Sequence, residues 1–207
     1  MKTVEIFCGT KSFSKVAESL GHDTWTTDIE EKFNPNHVGN VLDEATQDII
    51  FEQVKKADIV WMSPVCTKWS LCAGNTYWTK YRMPKREDTI EAINMMMFCR
   101  FIADYCIKKN KLFFIENPNG RAVWILDNQY LKRCWYCQYG DTRAKPTNIW
   151  TNLNIKFKTC FNGNPNCHHE SAPRGSKTGT QGLKNNMERS RIPEELFKHI
   201  FEVINDR

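Results

Sequence analysis

The sequence predicts an α/β protein: a doubly wound, mostly parallel sheet with helices on both faces and one small irregular insert. Three observations predict it. Short apolar runs such as DIVWM and LFFIE alternate with stretches of helical spacing from the N-terminus to about residue 130. Four of these runs end in polar residues, at the edge where open α/β sheets hold ligands. Further on, the alternation gives way to short strand-like pieces and an Asn-, Gly-, Pro- and Cys-rich stretch, Leu153 to Lys184. The expected organisation is a main α/β domain over 1–152, an insert over 153–184 and a helical return over 185–207.

The elements follow in order. Lys2 to Phe7 (KTVEIF) is the first strand. Gly9 opens a turn, and SFSKVAESLG is a helix with Gly21 just past its end. Asp23 to Asp28 is the second strand. Glu44 to Lys56 has helical spacing, with Ile49, Ile50 and Val54 on one side. Asp58 to Met62 is the third strand, and Pro64 ends it because proline has no N–H for a sheet ladder. After a long loop, Glu87 to Lys109 is a helix whose Ile90, Ile93, Met97, Phe101 and Tyr105 form an apolar stripe. Leu112 to Glu116 is the fourth strand. CWYCQYG and NIWTN read as short strands, and Pro193 to Ile204 as a closing helix with proline in its first turn.

Composition narrows the class. The 207 residues are 41% hydrophobic and 26% charged, which suits one globular domain with a good core. No stretch approaches a membrane span, and MKTVEIF runs straight into a strand rather than a signal peptide. Nine cysteines without an export signal point to reduced thiols in a cytoplasmic setting, bacterial or viral, where clustered cysteines serve metal binding or catalysis. Net charge is 29 − 24 = +5. Lys68, Lys80, Arg82, Lys85 and Arg86 lie in an acid-free stretch interleaved with Trp69, Tyr77, Trp78 and Tyr81. Residues 155–191 hold seven Lys/Arg, among them Arg174 and Lys177, against two Glu. Basic segments with aromatics suit a phosphate backbone and stacked bases; a merely solvated loop is the plainer alternative.

The strand ends carry the candidate chemistry. Strand one ends in FCGTKS, strand two in Asp28, strand three in SPVCTKWS and strand four in Glu116-Asn117-Pro118. A thiol and a carboxyl on neighbouring strand ends make a nucleophile and an acid. In this order the segments resemble the DNA (cytosine-5) methyltransferases over nearly the whole chain. FCGTKSFS is similar to the family's Phe-x-Gly-x-Gly cofactor turn, SPVCTKWS to its Pro-Pro-Cys segment, IENP to its Glu-Asn-Val segment, and Arg143-Ala144-Lys145 to its Arg-x-Arg strand. Asp28 falls where the family holds a ribose, and Gly39-Asn40-Val41 near its adenine contact. The chain departs from the pattern at Lys11 (glycine in the family), Asn40 (Asp), Val65 (Pro) and Pro118 (Val), and its insert is much smaller.

The resemblance implies a methyl transfer from S-adenosylmethionine (AdoMet) to C5 of a flipped-out cytosine in DNA, by a monomer. Cys66 would attack C6, Glu116 would hold N3 and the exocyclic amine, Asn117 would position the Glu116 turn, and Arg143 would orient the base through O2. The loop behind Cys66 would close over the base. Phe7, Gly9, Thr10, Lys11, Asp28, Asn40 and Pro64 would meet the cofactor. The same chemistry on RNA and a non-catalytic nucleic-acid-binding module of the same fold remain as alternatives. A separate cysteine set, Cys134, Cys137, Cys160 and Cys167, has spacing compatible with one structural Zn²⁺, with His168 or His169 able to replace one ligand; ordinary free thiols are the competing reading. Such a clip suits an insert with little core of its own.

Overall fold

The computed structural model describes residues 1–71, 75–170 and 186–206. Its elements are β1 (Lys2–Ile6), α1 (Ser12–Ser19), β2 (Asp23–Asp28), β3 (His37–Val38), α2 (Glu44–Lys56), β4 (Ile59–Met62), α3 (Glu87–Lys108), β5 (Leu112–Pro118), β6 (Leu131–Trp135), β7 (Pro146–Thr151), α4 (Asn186–Ser190) and α5 (Glu194–Asn205). The seven strands form one sheet in the order β3-β2-β1-β4-β5-β7-β6. β1 to β5 pair in parallel, whereas β7 runs antiparallel to both β5 and β6. The chain builds outward from β1 to β3 and then returns to β4. That reversal opens a crevice at the carboxyl ends of β1 and β4, the place where such sheets bind ligands.

Each face of the sheet has its own core. Val4, Ile6, Val60, Met62, Phe113 and Ile115 pack against α2 and α3, and Ile59, Trp61, Phe114 and Ile149 pack against Phe13 of α1 and Phe197 and Phe201 of α5. All four β4 residues are buried because successive side chains enter opposite cores, which is why DIVWM reads as an unbroken apolar run. Burying each such side chain is worth about 1.5–3 kcal/mol.

Several sequence expectations are corrected here. On α3, Ile90, Met97 and Phe101 of the expected stripe are 48%, 46% and 54% exposed, while Ile93 and Tyr105 are half-buried at the margin of the core. The buried residues are Thr89, Ala92, Met96, Phe98, Cys99, Ile102, Ala103 and Cys106. Small residues let the helix lie close on the sheet, and their weak apolar signal is overshadowed by the larger residues outside. On α2, Ile49 is exposed, and Thr46 joins Ile50 and Val54 inside. CWYCQYG is not one strand: β6 ends at Trp135 and Tyr136–Tyr139 wind into a 3₁₀ turn. The expected boundary at residue 153 falls inside the core, because Leu153, Ile155 and Phe157 join the cluster beneath α1 and α5. Residues 171–185, the rest of the expected insert, lie outside the described residues, as do Arg174 and Lys177. No described helix is long and apolar enough to cross a membrane.

Candidate active site

The turn after β1 is held from two sides. Phe7, Gly9 and Lys11 all have positive φ, at 61°, 46° and 57°. Only glycine adopts this region freely, so Lys11 costs about 1 kcal/mol at a position where glycine would not. Its Nζ donates to the Asn34 carbonyl. The Gly9 N–H donates to Asp28 Oδ2 at 2.8 Å, and the Glu30 N–H to Asp28 Oδ1 at 3.0 Å. Asp28 therefore buttresses the turn first, and each of its oxygens keeps further acceptor capacity. Below the turn, Glu5 is buried and accepts from the backbone N–H groups of Phe13 at 3.3 Å and Ser14 at 2.9 Å, inside the first turn of α1. Burial pushes its carboxyl up to about 7 against those hydrogen bonds. Phe7, Gly9, Thr10, Lys11, Asp28 and Asn40 are all partly exposed around this edge, and Pro64 is buried.

Cys66 lies four residues beyond β4, partly exposed. Its segment is pinned to the end of β5. Asn117 Nδ2 donates to the Pro64 carbonyl at 3.0 Å. The Arg121 N–H donates to the Trp69 carbonyl at 2.7 Å, and Arg121 Nη1 donates to the Ser70 carbonyl at 2.7 Å. Gly120 makes this approach possible, since a Cβ there would stand 2.3 Å from the Trp69 oxygen. Trp69 and Trp78 are buried with ring centroids 5.2 Å apart, and Trp78 Nε1 donates to the Lys68 carbonyl at 2.7 Å. These rings form a small core rather than a base-stacking platform, and residues 69 and 70 are tied by hydrogen bonds to the segment after β5.

Glu116 is on β5 with 6% exposure. The buried Tyr136 hydroxyl donates to its Oε1 at 2.8 Å. Tyr136 carries no sequence signal for this role, because the contact joins the turn after β6 to β5, a strand not adjacent to β6. Burial raises the Cys66 thiol above its ordinary value, the Lys145 ammonium lowers it, and Glu116 raises it. The three groups thus share one electrostatic environment. Lys145 Nζ sits 4.7 Å from the centre of the Tyr136 ring.

Arg143 is corrected. Its guanidinium is buried and ion-paired to Asp141, with Nε donating to Oδ1 at 2.8 Å. Nη1 donates to the carbonyls of Glu188 at 3.1 Å and Arg189 at 3.0 Å, and Nη2 to that of Arg191 at 3.0 Å. Its donors are spent fastening the C-terminal segment to the 141–145 turn. The other basic residue of the same short motif, Lys145, has a charge that favours the Cys66 thiolate.

The basic loop divides in two. Lys68 pairs with Asp88 at 2.7 Å and lies 4.5 Å from the centre of the Tyr77 ring, and Arg86 also pairs with Asp88, at 3.1 Å. Lys80, Arg82 and Lys85 are exposed, with Arg82 5.2 Å from the centre of the Trp124 ring. The cysteine set is also corrected. Cys134 is fully buried in the core under α1 and α5. Cys137, Cys160, Cys167 and His169 instead bring their ligand atoms within 4.8 Å of one another.

A reversing parallel sheet with an antiparallel β7 defines the class: this is an α/β, Rossmann-like fold of the methyltransferase type. The methyltransferase EhMeth of Entamoeba histolytica is similar in structure, with a TM-score of 0.53 and 16% identity over 77% of this chain and 56% of that one. Two further solved structures are a candidate DNA modification methyltransferase encoded within an E. coli prophage (TM-score 0.47, 14% identity, 75% and 49% covered) and Spodoptera frugiperda DNMT2 (0.42, 15%, 83% and 57%). The chain therefore spans about half the length of these proteins. No family model matches the chain, and no curated protein is similar to it in sequence.

Proposed function

We propose that the protein transfers a methyl group from AdoMet to C5 of cytosine in DNA, acting as a monomer in a reducing cytoplasm. The observation that carries this reading is the pinning of the Cys66 segment to the Glu116 strand through Asn117 and Pro64, with the Lys145 charge favouring the thiolate. AdoMet, when bound, supplies an electrophilic methyl group; Phe7, Gly9, Thr10, Lys11, Asp28, Asn40 and Pro64 would hold it. The turn fits that role, with three positive-φ residues and the spare acceptor capacity of Asp28.

Cytosine C5 is a poor nucleophile until C6 is attacked. Cys66 Sγ, as thiolate, bonds C6, and the C5–C6 π pair moves to C5 while Glu116 places a proton on N3. Lys145 favours the thiolate that burial disfavours. After C5 takes the methyl group, its proton passes to water. The C–H electron pair then restores the double bond and expels the thiolate, and N3 returns its proton to Glu116. Tyr136 occupies one Glu116 oxygen and leaves the other for the base. The target must leave the stack to reach a thiol at a strand end.

The test is incubation with AdoMet and DNA carrying 5-fluorocytosine, whose fluorine cannot leave as a proton does. A denaturation-resistant adduct at Cys66, absent in Cys66→Ser, is expected. Turnover in Cys66→Ser would overturn the assignment. A tRNA substrate in the same assay decides between DNA and RNA, and AdoMet titration excludes or supports the non-catalytic alternative.

A further inference from the structure

We propose that Cys137, Cys160, Cys167 and His169 bind one Zn²⁺, and that this ion holds Tyr136 in place against Glu116, with Lys145 over the Tyr136 ring. The proposal goes beyond the methyltransferase reading and does not depend on the substrate.

The ligand geometry comes first. Thiolates about 2.3 Å from a tetrahedral ion stand about 3.8 Å apart, so ligand atoms already within 4.8 Å need only a small contraction. The ligands come from three pieces of chain: the 3₁₀ turn 136–139, the end of the extended stretch after β7, and the turn 161–170. His169 is buried at 7% exposure, and its Nδ1 lies 4.0 Å from Cys160 Sγ. The Gly163 N–H now donates to His169 Nε2 at 3.1 Å. Ligation through Nδ1 moves the ring proton to Nε2, so that contact opens when the metal binds. The three thiols release their protons to solvent. All four positions are then filled by protein, which makes the site structural rather than catalytic.

The need is physical. From 158 to 170 the chain has no helix or strand, His169 is its one buried residue, and Phe161 is 58% exposed. A segment with so little core of its own has only a few hydrogen bonds to hold it, and a cross-link would fix it in place.

The placement ties this cluster to the active site. Tyr136, whose hydroxyl reaches Glu116, is the residue before Cys137. The Tyr136 N–H donates to the Lys145 carbonyl at 3.2 Å, and the Asp141 N–H to the Tyr136 carbonyl at 3.2 Å. On the other side, the residue after His169 bonds the same turn: the Glu170 N–H donates to the Thr142 carbonyl at 3.0 Å, and Glu170 bridges Arg143. The His168 ring contacts the Asp141 carbonyl at 3.1 Å. Each end of the cluster is therefore one residue from a group that positions Glu116 or Lys145.

The experiment uses the full chain purified without chelator. Elemental analysis is expected to find one zinc per chain in the wild type and in Cys134→Ala, and none in Cys160→Ser or His169→Ala. Absence of metal from the wild type, or its loss in Cys134→Ala but not in His169→Ala, overturns the site. The coupling is read on the wild type alone, by site-resolved mass spectrometry of Cys66 alkylated by iodoacetamide before and after zinc removal. Zinc removal is expected to change the Cys66 rate several-fold and to shift its pH midpoint. Release of zinc with both unchanged overturns the coupling, and neither readout requires methyl transfer.

Discussion

The buried Tyr136 hydroxyl donates a 2.8 Å hydrogen bond to Glu116 Oε1, joining a turn that follows the edge strand β6 to the carboxyl end of β5 across the intervening β7. Burial, with the Glu116 charge behind it, raises the Tyr136 hydroxyl well above its ordinary range, so it remains a donor throughout the working pH range. Tyr136→Phe removes the donor and leaves a buried carboxylate oxygen without it. Hydrogen bonds to charged groups are worth about 1.5–3 kcal/mol, and a loss of that size is expected in urea unfolding. Methyl transfer should fall with it. Unchanged stability and activity would show that Glu116 is oriented by other contacts.

Lys145, not Arg143, is expected to tune the thiol. Lys145→Met removes the charge that lowers the Cys66 thiol, so the midpoint of Cys66 alkylation should move to higher pH. Arg143→Met should act differently, loosening the attachment of residues 188–191 and lowering stability. Equal alkylation profiles for wild type and Lys145→Met would remove Lys145 from the site.

Glu5 gives a pH signature beneath the cofactor turn. Its carboxyl is raised from 4.5 to about 7, so the folded state keeps a proton that the unfolded chain gives up. Its favourable contribution is complete below about pH 4.5 and is lost as pH rises through about 7. At 1.36 kcal/mol per unit the swing is about 3 kcal/mol. Glu5→Gln lacks this dependence and should gain on the wild type between pH 4.5 and 8, measured as urea midpoints across that range. A difference between the two that stays constant with pH would show that Glu5 is not titrating there.

Binding to duplex DNA should weaken with salt through Lys80, Arg82, Lys85 and Arg86. Removing one cation that neutralises a phosphate flattens the log–log slope by about 0.9. Lys80 and Arg82 should contribute most, because Arg86 is already paired with Asp88 and Lys85 Nζ donates to the Asn75 carbonyl. A slope unchanged in the quadruple alanine variant would make this loop ordinary solvated surface.

What the sequence determined by itself was most of the larger elements, β1, α1, β2, α2, β4, α3, β5 and α5, and the strand ends at or near which Cys66, Glu116 and Asp28 stand. Those features are local. Period-two and period-3.6 patterns mark the elements, and Pro64 and Gly9 mark where they stop. Only the tertiary structure decided which neighbours the site residues acquired. On α3 it selected a face that mixes small residues with Met96, Phe98 and Ile102, because close packing on a sheet rewards fit as well as hydrophobicity. It turned Arg143 into a clasp and left Lys145 as a charge that acts on the thiol, although the two belong to one short motif. It sent Cys134 into the core and gathered His169 with Cys137, Cys160 and Cys167. Cys134 belongs to β6 and Cys137 to the turn beyond it, so a spacing that suits a metal knuckle does not put both thiols on one side. Spacing along the chain sets which residues are neighbours in sequence; packing between distant segments sets where each side chain points.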